Sequence, residues 1–81
     1  MDYKARIKNF VLETFLFTDD QTALDEDASF LDKGIIDSTG VLELVMFLED
    51  EFGVSVDDDE LLPENLDSVN RVAAFVGRKK V

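Results

Sequence analysis

The chain is 81 residues long, carries no Cys or His, and sets 19 Asp and Glu against 8 Lys and Arg, for a net charge of −11. That length predicts one domain over residues 1–81, near the lower size at which a single core holds without staples, and the missing Cys leaves no disulfide framework and no thiolate metal site. The charge argues against nucleic acid and anionic membrane surfaces, which need clustered cations; it either steers a basic protein partner to the chain or merely keeps a small domain soluble. Apolar residues make up 46% of the chain, seven Phe among them, which is enough for a core. The opening Met-Asp-Tyr-Lys-Ala-Arg has no apolar signal region, and no apolar run nears membrane-spanning length, so a cytoplasmic protein without membrane insertion is expected.

Helical spacing begins at once. Tyr3, Ile7, Phe10 and Thr14 share a stripe with Val11 at its edge, Asp2 can cap it, and a first helix from about Asp2 to Leu16 follows. Thr18-Asp19-Asp20-Gln21-Thr22 favours caps and turns and ends it. From there to Asp37 the chain reads as a long connection with apolar anchors Leu24, Phe30, Leu31, Ile35 and Ile36, and with one helical turn over Ser29 to Lys33 that Gly34 closes. A second helix runs from about Ser38 to Glu51, with Val41, Leu44, Val45, Leu48 and Phe52 on one stripe and Gly53 as its stop. Asp57 or Asp58 caps a short third helix through Leu62, which Pro63 interrupts. Ser68 caps a last helix whose core face is Val69, Val72, Ala73 and Val76, with Arg78, Lys79 and Lys80 at the negative end of its dipole. The fold class is therefore all-α, a small four-helix bundle of three main helices and one short one, with a long first loop.

Chemistry concentrates at Asp37-Ser38. A catalytic Ser needs a base, usually His, and there is none; Lys33 would need a desolvated pocket that so small a domain hardly offers. Ser38 could be a plain helix cap, as Asp37 could. It could be a phosphosite, or it could carry a phosphate-linked prosthetic arm, since a helix N-terminus favours phosphate in either form. On the outer face of the second helix, Leu42 and Met46 project among Glu43, Glu49 and Asp50 with Thr39 nearby. A flexible Met and a Leu ringed by acids beside a modifiable Ser form a docking patch for a basic partner.

Asp37-Ser38, followed by Val41-Leu42-Glu43-Leu44-Val45-Met46 and Leu48-Glu49-Asp50-Glu51-Phe52-Gly53, resembles the Asp-Ser motif and recognition helix of acyl carrier proteins. The resemblance extends over nearly the whole chain. It implies a four-helix bundle, not itself an enzyme and monomeric, whose Ser38 is esterified with 4′-phosphopantetheine from coenzyme A by a separate phosphopantetheinyl transferase. The arm's thiol then carries acyl or aminoacyl groups as thioesters to partner enzymes: an adenylating ligase, an acyltransferase or a synthase of lipid or secondary-metabolite biosynthesis. It further implies that Asp37 helps position metal and coenzyme A during modification, and that Thr39, Leu42, Glu43, Met46, Glu49 and Asp50 dock partners. Two departures stand out. Thr39-Gly40 follows the Ser where fatty-acid carriers have Leu and an acid, and the Gly-Gly-x-Ser of peptidyl carriers is absent. Gly34-Ile35-Ile36-Asp37-Ser38-Thr39-Gly40 is closer to the Gly-Ile-Leu-Asp-Ser-Met-Gly of D-alanyl carriers and other free-standing carriers loaded by adenylating ligases. The competing class is a small acidic protein- or calcium-binding module without a covalent arm, built on Asp19-Asp20, Asp25-Glu26-Asp27 or Asp57-Asp58-Asp59-Glu60. None of these has the alternating acids and central Gly of an EF-hand loop.

Overall fold

The computed structural model describes residues 3–80, so the expected cap Asp2 lies outside the described residues. Four α-helices, α1 (Tyr3–Val11), α2 (Gly40–Phe52), α3 (Pro63–Leu66) and α4 (Val69–Lys79), surround one core, and no strand occurs among the described residues. α1 carries on past Val11 as a wider π-helical stretch, Leu12–Leu16, and so reaches the expected end at Leu16 in a different register. Its deepest residues are Ile7, Val11 and Leu12, all fully buried. Val11 is thus at the centre of the buried face rather than its edge. Tyr3 and Phe10 flank that face, Tyr3 edge-on to Phe52 at 5.3 Å between ring centroids and Phe10 stacked on Phe47 at 4.1 Å.

Leu44, Leu48 and Phe52 of α2 are buried at helical spacing, with Val41 and Val45 half-buried beside them. The helix stops where expected: Gly53 takes φ 69°, a left-handed conformation that glycine adopts without steric penalty, and its N–H donates to Glu49 O. In α4, Val69, Val72, Phe75 and Val76 are buried and Ala73 is half-buried, so Phe75 joins the expected face. Ser68 caps α4 as predicted, its hydroxyl accepting the Arg71 N–H at 3.1 Å, and Lys80 Nζ donates to Phe52 O at 2.8 Å, tying α4 to the last turn of α2.

Two expectations need correction. Pro63 does not interrupt a helix but starts one. The short helical turn Asp58–Glu60 ends first, Leu62 is extended as the residue before a proline tends to be, and Pro63 occupies the first position of α3, where its missing N–H costs nothing. Leu31, expected as an anchor of the long loop, is 52% exposed, whereas Leu24, Phe30 and Ile36 are buried.

The long loop is held to the α3–α4 corner by its backbone. Asp67 accepts three hydrogen bonds from it: Phe30 N–H to Asp67 O at 2.7 Å, Leu31 N–H to Oδ1 at 3.0 Å, and the Ser29 hydroxyl to Oδ2 at 2.5 Å. Asn70 N–H donates to Glu26 O at 3.0 Å. The expected turn over Ser29 to Lys33 forms, with Lys33 N–H donating to Ser29 O, and Gly34 closes it at φ 67°. Fully burying a Leu or Ile side chain stabilises by about 1.5–3 kcal/mol, against about 0–1 kcal/mol for an exposed ion pair. The buried stripes therefore hold the fold, and pairs such as Lys4–Glu26 and Arg6–Glu51 adjust it.

Candidate functional site

The site forms where the long loop enters α2. Asp37 Oδ1 accepts the Gly40 N–H at 2.7 Å, and Asp37 O accepts the Val41 N–H at 3.0 Å. The second bond is the first of α-helical span, so helical hydrogen bonding starts at Asp37 although regular α2 begins at Gly40, two residues later than the expected Ser38. Of the two residues able to cap, the structure gives the role to Asp37. Ser38 is exposed, and its hydroxyl makes no hydrogen bond among the described residues. It stands in the positive field of the first helical turn with its oxygen free.

Phe15 completes the site, and the sequence had not marked it. A Cβ on Gly40 would stand 3.0 Å from Phe15 Cε1 and 3.1 Å from Ile36 Cγ2. Glycine at position 40 is what lets the Phe15 ring and the Ile36 side chain close on the start of α2. On one flank of Ser38 lies an apolar groove of about 280 Å³ lined by Phe30, Ile36, Val41, Leu42, Leu61 and Leu66, with Ser38 itself in the lining. On the other flank a shallower, more polar depression joins Phe15 with Asp37, Thr39 and Glu43.

The six residues expected to dock partners fall into two groups. Thr39, Leu42, Glu43, Met46 and Asp50 are exposed, Leu42 by 56% and Met46 by 64%. Glu49 is exposed too, but its Oε2 accepts the Val56 N–H at 3.0 Å and so also holds the chain that leaves α2. Lys33 is exposed, not in the desolvated pocket that a Ser–Lys nucleophile requires.

The acidic runs weighed for calcium are turned to local work. Asp20 accepts from the Thr22 hydroxyl at 2.7 Å and from its N–H at 2.9 Å, bonds that hold its carboxyl below the usual carboxylate range. Asp25 accepts the Asp27 N–H at 2.8 Å, and Asp27 in turn accepts from Asn70. Among the described residues no three His, Cys, Asp or Glu are grouped to hold a metal ion.

The bundle thus presents an exposed Ser, left free of the capping role, between an apolar groove and a more polar depression, with no base beside it. The family described as Phosphopantetheine attachment site matches residues 7–76, and the chain belongs to it. The sequence is 37% identical to an acyl carrier protein of Zymomonas mobilis over 79 residues, which cover 98% of this chain and 96% of that one. It is 34% identical to a D-alanyl carrier protein of Streptococcus suis over 76 residues, covering 94% and 92% of the two chains. An acyl carrier protein of Petrotoga mobilis is 32% identical over 74 residues, covering 91% and 82%. The protein is thus a phosphopantetheine-dependent carrier and not an enzyme, and its family works with transferases and with synthases or ligases. Among the described residues no helix is long and apolar enough to cross a membrane.

Proposed function

We propose that Ser38 is the residue that holds 4′-phosphopantetheine, and that the chain, a single carrier domain over residues 1–81, acts as a monomer in the cytoplasm. The observation that carries this is the division of labour between neighbours: Asp37 caps α2, and the exposed Ser38 hydroxyl is left free. These residues fit the group, because the first turn of a helix favours a phosphodiester and the open flank gives an arm room. In the modification, the Ser38 oxygen forms a bond to phosphorus as the pyrophosphate bond of coenzyme A breaks. Adenosine 3′,5′-bisphosphate leaves, and the hydroxyl proton passes to the transferase. When bound, the arm supplies the thiol that this chain lacks and holds cargo as a thioester.

The cargo is an acyl or aminoacyl group. The apolar groove that includes Ser38 supports an acyl chain, which would bury its methylenes there at about 0.8 kcal/mol each. A D-alanyl or other aminoacyl cargo loaded by an adenylating ligase is the second reading, favoured by Gly34-Ile35-Ile36-Asp37-Ser38-Thr39-Gly40 and by the carriers of Streptococcus suis. Asp37 would help position the metal ion and coenzyme A during modification. Thr39, Leu42, Glu43, Met46 and Asp50, with Glu49 at their edge, form the face toward the transferase and the later ligase, acyltransferase or synthase.

Intact mass after incubation with coenzyme A, magnesium and a broad-specificity phosphopantetheinyl transferase tests the reading. The expected result is one phosphopantetheine increment on the chain and none on Ser38→Ala. No increment on folded protein, or the same increment on Ser38→Ala, removes Ser38 from the role.

A further inference from the structure

Phe17 is the most exposed large hydrophobic residue among those described, at 86%. It is also the one non-glycine residue described with positive φ, at φ 55° and ψ 41°. A ring left in water contributes almost nothing to folding, a side chain in the left-handed region disfavours the folded state, and a glycine would avoid that cost. The structure nevertheless fixes the backbone there: the N–H groups of Phe17 and of Thr18 both donate to Leu12 O, closing the π-helical end of α1. Nothing within the bundle gains from the ring, so its use lies outside the chain.

Its position says where. Phe15 packs on Gly40 at the start of α2, and two residues of chain put the Cα of Phe17 within about 7 Å of that of Phe15. A specific interface covers about 800 Å² per partner, a disc of about 16 Å radius, which is large enough for an enzyme that brings its reactant to the Ser38 oxygen to extend over this end of α1. The stretch of chain around Phe17 carries one sign of charge. No Lys or Arg lies between Asn9 and Asp32, and Glu13, Asp19 and Asp20 around Phe17 are exposed and make no ion pair among the described residues.

We infer that Phe17 is the apolar anchor of a second docking surface, on the opposite flank of Ser38 from Leu42 and Met46. It seats in an apolar socket bordered by Lys or Arg on the phosphopantetheinyl transferase. The inference rests on Ser38 being the modified residue. Aromatic residues supply a large share of interface energy at low entropic cost, and the acids supply steering toward a basic rim.

The test uses the full chain, with Phe17→Gly and Phe17→Ser, in steady-state modification by the transferase together with thermal melts. Phe17→Gly is expected to raise KM about tenfold with kcat little changed, the pattern of lost docking, while its thermal midpoint stays level or rises because the left-handed site is relieved. Phe17→Ser is expected to raise KM similarly. KM unchanged within about twofold in both variants overturns the surface, and so does a KM that rises only where the midpoint falls. A concentration-dependent dimer of the parent chain that both variants abolish would assign Phe17 to a second copy and overturn it as well. If the parent chain itself takes no phosphopantetheine, the Ser38 reading fails and this one falls with it; a modified parent with unaffected variants removes only the Phe17 surface.

Discussion

Asp37 and Ser38 are adjacent, small and polar, and the chain uses them for opposite purposes. Asp37 Oδ1 answers the Gly40 N–H, one of the donors that every helix start leaves without an intrahelical partner. Replacing an Asp cap by Ala typically costs about 1 kcal/mol, whereas Asn caps about as well as Asp. Asp37→Ala should therefore lower the unfolding free energy by about 1 kcal/mol in urea titrations, and Asp37→Asn should stay within a few tenths. If Asp37 also positions a metal ion during modification, Asp37→Asn should still slow phosphopantetheine attachment by about 10–100-fold, the scale seen when groups that orient a metal are lost. Attachment at the parent rate would confine Asp37 to capping. The motif itself was legible in the sequence, but which of the two residues capped was not. An Asp37 cap answers residue 40 and a Ser38 cap would answer residue 41, and both donors are present in the sequence. Phe15 and Ile36 close on a glycine-sized gap at position 40 beside the Asp37 carboxyl, and the contact with Phe15, 25 residues away, leaves no local signal.

Helices that bury a simple stripe were the most legible elements. α2 and α4 put Leu44, Leu48, Val69, Val72 and Val76 where helical spacing places them, because one period fixes one face. α1 was legible in extent but only partly in face: the expected stripe passed from Phe10 to Thr14 and missed buried Leu12, which lies in the π-helical Leu12–Leu16, where the angle per residue departs from the 3.6-residue template. The role of Pro63 was misread because a proline that stops a helix and one that starts it look alike until the preceding turn is known to have ended. That preceding turn is held by an ionic corner. Glu60 Oε1 accepts the Asp57 N–H at 3.0 Å and the Lys79 ammonium at 2.9 Å, joining it to the end of α4. The Asp57 N–H first, then Lys79, hold the Glu60 carboxyl below its ordinary value, and Glu60 holds Lys79 above its own. A depressed carboxyl contributes stability above its unfolded pKa, about 4.3, and that contribution is lost as pH falls through the lower folded value. For Lys79 the contribution is present below its unfolded pKa of about 10.4 and is lost as pH rises through the higher folded value. Glu60→Gln should thus melt below the parent at pH 7, and the gap should close in acid. A gap that persists at pH 2 would mean that Glu60 acts through packing rather than charge.

Across the whole molecule the charge is divided along the chain. Six of the eight cations, Lys4, Arg6, Lys8, Arg71, Arg78 and Lys79, sit in the two terminal helices, and between Gly34 and Asn70 there are acids but no Lys or Arg. The sequence showed this excess and could assign it only to solubility or to a basic partner. The fold adds that Asp37 and Glu43 stand exposed on one flank of Ser38, and the excess of acids makes folding work against repulsion. The molecule measures 30 × 27 × 19 Å. At 10 mM monovalent salt the Debye length is about 30 Å, so every acid acts on every other, whereas at 150 mM it is about 8 Å and only neighbours interact. Screening also weakens the pairs of Lys4 and Lys8 with Glu26 and of Arg6 with Glu51, but exposed pairs contribute only about 0–1 kcal/mol each. With a net charge of −11, relief of repulsion should prevail, and raising sodium chloride from 10 to 150 mM should raise the thermal midpoint by about 4–8 °C, the shift that about 1 kcal/mol makes in a domain of this size. A midpoint that stays flat or falls would show that the ion pairs offset the repulsion, and that the acids around Ser38 burden the fold less than their number implies.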